Sequence, residues 1–238
     1  MLQGADNLAK TVAEVECMLF DLDGTLIDTI DMIRASMRYA TETVLGAPLP
    51  DEVLMCNVGI PLRQQMAQFS EAHTDELLAT YREHNGRVHD AMIKEYPGVE
   101  ETLVALLERG LRLGIVTSKS RTVALRGLER FSLSRFFEVM VTCDDVDRFK
   151  PDPFPLRHAA EMMGVDIALC AYVGDSPHDM SAAVAAGCVS IAALWGAFSA
   201  ESVLSPGPLY QAASMNEVLA IVSGHEGSYR VAQPTAGG

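Results

Sequence analysis

Five short apolar runs, each ending at a polar or acidic residue, constrain the fold of this 238-residue chain more than any other feature. They read CMLF at 17–20, LGIVT at 113–117, VMVT at 139–142, CAYV at 170–173 and VSIAAL at 189–194. Continuous rather than alternating hydrophobicity is typical of strands that are covered on both faces of a sheet. We therefore expect each run to form a buried strand.

Helical patterns lie between these runs and end at predictable positions. They read VEETLVALLERG, RTVALRGLERF, FPLRHAAEMMG and DMSAAVAAG, and three of the four end at a glycine. Glycine just after the last apolar position is a common helix stop. The alternation of strand and helix predicts an α/β fold with a doubly wound parallel sheet.

The interval from Asp31 to Tyr96 breaks this alternation. It shows no convincing strand, only helical segments such as DMIRASMRYATETVL and TDELLATYREHNGRVHDAMI. Because so long an interval is unusual for a loop, we expect a small helical domain. The predicted boundaries are a core of 1–30 and 97–225, an inserted helical domain of 31–96 and a flexible tail of 226–238.

Composition excludes several classes of function. The net charge of −14 argues against non-specific binding to nucleic acid or to anionic membranes, because both require a basic face. The most apolar long window, at 182–198, is too short and too interrupted by glycine for a membrane span. No signal peptide is recognisable, and five scattered cysteines suit buried thiols in a reducing compartment. These features predict a cytoplasmic protein, and they leave open whether it is a monomer or a dimer.

Polar and charged residues collect where the predicted strands end. Ligands bind at the carboxyl ends of the strands in an open parallel sheet, so these side chains are candidates for a site. Two of the four lysines of this acidic chain are among them, which predicts a local basic patch. The set is Asp21, Asp23, Thr117, Ser118, Lys119, Lys150, Asp175 and Asp179.

Four motifs in this set resemble those of a known family. DLDGTL, VTSK, KPDP and GDSPHD follow the order of the four motifs of the haloacid dehalogenase-like superfamily of phosphatases. The resemblance extends from about Val15 to Phe198, and the helical insertion resembles the cap of the β-phosphoglucomutase and phosphoglycolate phosphatase branch. The segments TYREHNGRVHD, YPGVEETL and GIVTSK are similar to bacterial pyrophosphatases and phosphoglycolate phosphatases. This resemblance implies an α/β core with a helical cap that closes over the site.

The chemistry of the residues agrees with phosphoryl transfer. The Asp21 carboxylate can attack phosphorus to form an aspartyl-phosphate, while Asp23 can donate and then accept a proton. Attack by one anion on another requires a divalent cation, and oxygen ligands suit Mg²⁺. We expect the metal ligands to be Asp21, the backbone carbonyl of Asp23, and Asp175, with Asp179 a further candidate through a water molecule.

The remaining predicted residues would bind the substrate. Thr117 and Lys150 would hold phosphoryl oxygens. Gly24 would let the chain turn closely around the phosphate. The other predicted binding residues are Thr25, a hydrogen-bond donor, Ser118, Lys119 and, in the cap, Arg63.

Competing interpretations of these residues remain. Asp175 could cap a helix, Thr117 could simply end a strand, and Lys150 and Arg63 could be solvated surface residues. In the cap, the YREHN segment could also face the substrate. An EF-hand calcium loop does not fit, because Gly24 follows Asp23 directly.

The substrate class is predicted only in outline. We expect a small phosphorylated molecule, either a phosphoglycolate-type monoester or inorganic pyrophosphate. The alternatives are a phosphomutase, which would use the same aspartates, and a non-catalytic regulatory protein.

Overall fold

The computed structural model describes residues 12–225 and 229–231 of the chain. The strands are β1 (Cys17–Phe20), β2 (Ile27–Asp28), β3 (Lys94–Glu95), β4 (Arg112–Val116), β5 (Val139–Val141), β6 (Cys170–Gly174), β7 (Val189–Ala193) and β8 (Tyr210–Ala212). The α-helices are α1 (Ile30–Leu45), α2 (Asp51–Met55), α3 (Leu62–Phe69), α4 (Thr74–Met92), α5 (Val99–Glu108), α6 (Arg121–Arg130), α7 (Phe154–Met163), α8 (Pro177–Ala186), α9 (Ala200–Leu204) and α10 (Met215–Ala220).

Six strands form one parallel sheet in the order β5-β4-β1-β6-β7-β8. The predicted α/β fold with a doubly wound parallel sheet is confirmed. Each of the five apolar runs forms a strand within one residue of its predicted ends. The sixth strand, β8, was not predicted from the sequence, because its residues YQA include a polar glutamine and form no continuous apolar run.

The sheet is covered on both faces, as its continuous hydrophobicity predicts. Met18 and Phe20 of β1 belong to one apolar core, to which α5 and α10 contribute. Cys17 and Leu19 point the other way, into a core that α7 and α8 complete. Side chains alternate between the faces of a strand, so β1 must be apolar at every position.

Four helices and two short strands lie between β1 and α5. Helix α1 packs mainly against α4, and α3 packs against the same helix. We call α1–α4 and their connections the cap. Strands β2 and β3 pair in antiparallel fashion and connect the cap to the sheet. The expectation of no strand between 31 and 96 is therefore wrong at Lys94–Glu95, where the pairing involves two exposed residues without an apolar pattern.

Only part of the predicted C-terminal tail is described. Residues 229–231 lie beside β8, where the Gln211 amide donates to the Tyr229 carbonyl at 2.9 Å. Residues 226–228 and 232–238 lie outside the described residues, as do residues 1–11 of the predicted core. Within the part of the chain that the structure describes, no helix is long and apolar enough to span a membrane.

Candidate active site

A cavity of about 670 Å³ lies between the carboxyl ends of the sheet strands and the cap. Helices α1, α3 and α4 line its cap side. Three predicted site residues, Thr25, Lys150 and Asp179, are buried but do not line it. The predicted residues that line the cavity are Asp21, Asp23, Gly24, Arg63, Thr117, Ser118, Lys119 and Asp175.

Lys150 joins two buried aspartates beneath this cavity. Its ammonium group lies 2.9 Å from Asp21 Oδ1 and 2.6 Å from Asp179 Oδ1. It also donates to the Tyr172 hydroxyl at 3.0 Å. Burial alone would lower the pKa of Lys150, but the two carboxylates raise it above its ordinary value. Lys150 is therefore a buried charged residue with partners, and the interpretation as a surface lysine is wrong.

The protein itself satisfies both oxygens of Asp179. Oδ1 accepts from Lys150 and Tyr172, and Oδ2 accepts from the Ser176 hydroxyl at 2.5 Å and the Ser176 amide at 3.1 Å. Ser176 accepts in return from the Asp179 amide, which is the capping box at the start of α8. Burial would raise the pKa of Asp179, but Lys150 and these hydrogen bonds lower it. Asp179 thus stabilises the start of α8 and holds Lys150 in position.

Asp175 follows β6 and is enclosed by two loops. Its carboxylate accepts from the Thr25 hydroxyl at 3.1 Å and from the Ala197 amide at 3.0 Å. A Cβ atom at Gly24 would lie 2.3 Å from Asp175 Oδ2, and one at Gly196 would lie 2.0 Å from it. Gly24 also has a φ of +77°, which side chains rarely adopt. Both glycines are therefore required for the loops to close around Asp175.

The carboxylates at the base of the cavity fit a divalent cation. Asp21, Asp175 and Asp179 each place one oxygen within 4.8 Å of the others. Burial raises the pKa of Asp175 well above its ordinary value, and it raises that of Asp21 to about 7 despite Lys150. Carboxylates that are buried together with one cationic partner are costly unless another cation neutralises them. Hard oxygen ligands of this kind match Mg²⁺.

Asp23 lies at the cavity wall in contact with two donors. The Lys119 ammonium contacts both of its oxygens, at 2.6 Å for Oδ2, and the Thr29 hydroxyl donates to Oδ1 at 2.7 Å. Lys119, a predicted substrate-binding residue, lines the cavity and pairs with Asp23 across the ends of β1 and β4. No sequence pattern indicates this pairing, because the two residues are 96 positions apart.

Thr117 and Ser118 occupy the end of β4. The Thr117 amide donates to the Val141 carbonyl at 2.9 Å, which holds this residue beside β5. The Ser118 hydroxyl donates to the carbonyl of Gly59, in the cap segment between α2 and α3, at 2.5 Å. Ser118, predicted as a binding residue, thus contacts the cap directly.

The cap contributes both predicted and unexpected residues to the cavity. Arg63 lines it, but its guanidinium group is exposed and pairs with Asp75 at 2.7 Å. From the YREHN segment on α4, three residues line the cavity: Tyr81, Arg82 and Asn85.

Comparison with known proteins agrees with this architecture. The family model described as haloacid dehalogenase-like hydrolase matches residues 18–193. Pyrophosphatase PpaX from Halalkalibacterium halodurans is 36% identical over 209 residues, which cover 88% of this chain and 97% of that protein. Pyrophosphatase PpaX from Bacillus velezensis is 36% identical over 211 residues, covering 89% and 98% respectively.

Among solved structures, a predicted phosphoglycolate phosphatase from Haemophilus somnus superposes with a TM-score of 0.81 at 23% identity. The match covers 87% of this chain and 98% of that chain, and at this identity it shows the shared fold. Together with the four motifs near the carboxyl ends of the sheet strands, these relationships establish that the chain belongs to the haloacid dehalogenase-like hydrolase family and is a phosphatase of that family.

Proposed function

We propose that this phosphatase hydrolyses inorganic pyrophosphate, with Mg²⁺ as cofactor and an aspartyl-phosphate on Asp21 as intermediate. One observation carries the proposal. Asp21 is buried at the base of the cavity, and Lys150 fixes its Oδ1 at 2.9 Å. Among the described residues, none donates a hydrogen bond to the side-chain Oδ2, which leaves that oxygen available to attack phosphorus.

The first step transfers a phosphoryl group to Asp21. A bond forms between an Asp21 carboxylate oxygen and phosphorus, while the bond from phosphorus to the leaving oxygen breaks. The leaving oxygen keeps the electron pair of that bond, and Asp23 is placed to give it a proton when it needs one. Thr117 would contact the phosphoryl oxygens during transfer, while Lys150 would neutralise charge on Asp21 from beneath the cavity.

The second step returns the enzyme to its starting state. A water molecule attacks the phosphorus of the aspartyl-phosphate, and its proton passes to the Asp23 carboxylate. The bond between phosphorus and the Asp21 oxygen breaks, which releases phosphate and restores the Asp21 carboxylate. Apolar cap residues such as Ile33, Met37 and Leu62 line the cavity and would limit the access of bulk water.

Mg²⁺ would be held by the side chains of Asp21 and Asp175 and by the backbone carbonyl of Asp23. When bound, it would neutralise negative charge on the carboxylates and on the phosphoryl oxygens. Asp179 would support this arrangement from behind, because the protein's own donors already occupy its oxygens.

Two observations favour pyrophosphate over a phosphoglycolate-type monoester. The relatives at 36% identity are named pyrophosphatases. In addition, Lys119 pairs with Asp23, so this carboxyl must be released from an ion pair and protonated before it can act as an acid. A departing phosphate is a much weaker base than an alkoxide, so it depends less on an acid, whereas an alkoxide requires one.

The proposal is tested by phosphate release from pyrophosphate, phosphoglycolate, sugar phosphates and nucleotides, with Mg²⁺ and with EDTA. The proposal expects pyrophosphate to be the best substrate, with release that requires the metal and disappears in Asp21→Asn. Formation of a phosphate isomer without phosphate release would instead indicate a phosphomutase. No metal-dependent turnover of any compound would favour a non-catalytic role.

A further inference from the structure

Part of the YREHN segment of α4 faces the cavity. Tyr81, Arg82 and Asn85 all line it, and positions separated by three or four residues share one side of a helix. This surface lies opposite the aspartates at the strand ends. It is therefore placed to contact the part of a substrate that is not transferred to Asp21.

Arg82 differs from the other cations around the cavity. Each of the others that line it has a carboxylate partner, whereas among the described residues no carboxylate pairs with Arg82. The ion pairs are Arg63 with Asp75, Arg126 with Asp90, and Lys119 with Asp23. In a chain with a net charge of −14, a cation without a partner at the cavity is available for an anionic ligand.

The charge of Arg82 acts on a group at the core side of the cavity. Burial raises the pKa of the Cys143 thiol to about 11, while the charge of Arg82 acts in the opposite direction. Cys143 lies in the loop after β5 and also lines the cavity. Arg82 is thus close enough to the core to influence a group there, although it originates in the cap.

Tyr81 supplies a hydrogen-bond donor beside Arg82. Its hydroxyl accepts from the Asn85 side-chain amide at 3.3 Å, and within the described residues it donates to no acceptor. Burial and the nearby Asp23 raise its pKa, so the hydroxyl retains its proton. Asn85 also donates to Ser36 at 3.4 Å, which makes it a positioning residue for Tyr81.

We propose that Arg82 and the Tyr81 hydroxyl bind a second negatively charged group of the substrate, the group that departs when the phosphoryl group moves to Asp21. The inference rests on the proposed function, because it places the transferred group at Asp21. Arginine binds phosphate or carboxylate through two parallel N–H donors, so this subsite selects small phosphorylated molecules with an anionic leaving group. The terminal phosphate of pyrophosphate has this property, and so does the carboxylate of phosphoglycolate.

Kinetics of Arg82→Gln, Arg82→Lys and Arg87→Gln test this subsite. Arg87 is an exposed arginine on the same helix that does not line the cavity, so its substitution removes the same charge elsewhere. The substrates are pyrophosphate and p-nitrophenyl phosphate, whose leaving group carries no second anionic group. For Arg82→Gln, the ratio of kcat/KM for pyrophosphate to that for the aryl phosphate should fall by about tenfold or more.

The two other variants make the result specific. Arg82→Lys should recover part of the ratio, because it restores the charge but not the two parallel donors. Arg87→Gln should keep the wild-type ratio. An unchanged ratio in Arg82→Gln, or an equal fall in Arg82→Gln and Arg87→Gln, would overturn the inference.

A binding measurement separates this inference from the proposed function. The dissociation constant of pyrophosphate is measured by calorimetry for Asp21→Asn and for the double variant Asp21→Asn with Arg82→Gln. The inference expects about tenfold weaker binding in the double variant. Equal dissociation constants would overturn it, even if the wild type hydrolyses pyrophosphate. Weaker binding in the double variant together with a wild type that does not cleave pyrophosphate would retain the subsite and reject the proposed function.

Discussion

Within residues 12–225 and 229–231, three buried carboxylates and a single buried ammonium define the chemistry of this molecule at the scale of residues. Lys150 neutralises part of the charge on Asp21 and Asp179, whereas Asp175 receives only neutral donors, from Thr25 and Ala197. Burial of this uncompensated charge disfavours folding unless a cation or proton binds. Asp21, the proposed attacking carboxylate, therefore lies next to a site where a cation can bind.

Asp23→Asn should affect substrates according to their leaving group. The substitution removes the proton donor, and a poor leaving group such as an alkoxide depends on that donor more than phosphate does. We expect kcat for phosphoglycolate to fall by about 100-fold or more, within the usual contribution of acid–base catalysis, and kcat for pyrophosphate to fall less. Steady-state kinetics with both substrates provide the measurement, provided that circular dichroism shows an unchanged fold. Equal losses would argue against an acid role for Asp23.

At the residue scale, the sequence predicts which side chains meet but not how they pair. The position of Asp21, Thr117 and Asp175 at the ends of apolar strands brings them to one cavity. The contacts of Lys119 with Asp23 and of Ser118 with Gly59 depend on how loops and cap pack in three dimensions. No local pattern encodes these pairings.

At the scale of elements, the loops that follow β1 and β7 close on Asp175 through two glycines. Gly196→Ala would place a Cβ atom 2.0 Å from Asp175 Oδ2, so the loop or the carboxylate must move. We expect destabilisation of about 1–3 kcal/mol, typical of overpacking, together with a loss of phosphatase activity. Urea unfolding and phosphate release measure the two effects.

Gly86→Ala is the matched control for this substitution. Gly86 lies within α4, and a Cβ atom there would meet nothing within 4 Å. Alanine in a helix should stabilise it by about 0.5–1 kcal/mol relative to glycine. If Gly196→Ala behaves like Gly86→Ala, the close approach to Asp175 does not constrain the loop.

Elements with a clear local pattern could be predicted from the sequence, and short strands without such a pattern could not. Helices such as α4 and α7 show apolar positions at helical spacing and clear ends, so their predicted and observed bounds nearly coincide. Strands β2 and β3 consist of two residues each. They pair because the segment that enters the cap lies beside the segment that leaves it. Pairing between distant segments is a tertiary property that periodicity does not show.

At the scale of the whole molecule, Mg²⁺ should contribute to folding stability as well as to activity. A ligand that binds only the folded state stabilises it by RT ln(1 + L/Kd), where L is the free ligand concentration, so the melting temperature rises with the logarithm of that concentration. We expect Mg²⁺ to raise the melting temperature of the wild type and EDTA to abolish the increase. Thermal unfolding followed by circular dichroism provides the measurement.

Asp175→Asn is the variant that tests this linkage. The amide removes one buried negative charge, so without metal the variant should be at least as stable as the wild type. It should also lose the increase in melting temperature on addition of Mg²⁺. An increase as large as that of the wild type would mean that the metal binds elsewhere.

The most direct test of the central claim is to trap the phosphorylated enzyme. During turnover of pyrophosphate, the reaction is quenched and treated with borohydride, which reduces an acyl phosphate but not a free carboxylate. Peptide mass spectrometry then locates the reduced residue. The mechanism predicts reduction at Asp21 only when substrate and Mg²⁺ are both present. Efficient turnover with no reduced aspartate, or with reduction at a different residue, would contradict it.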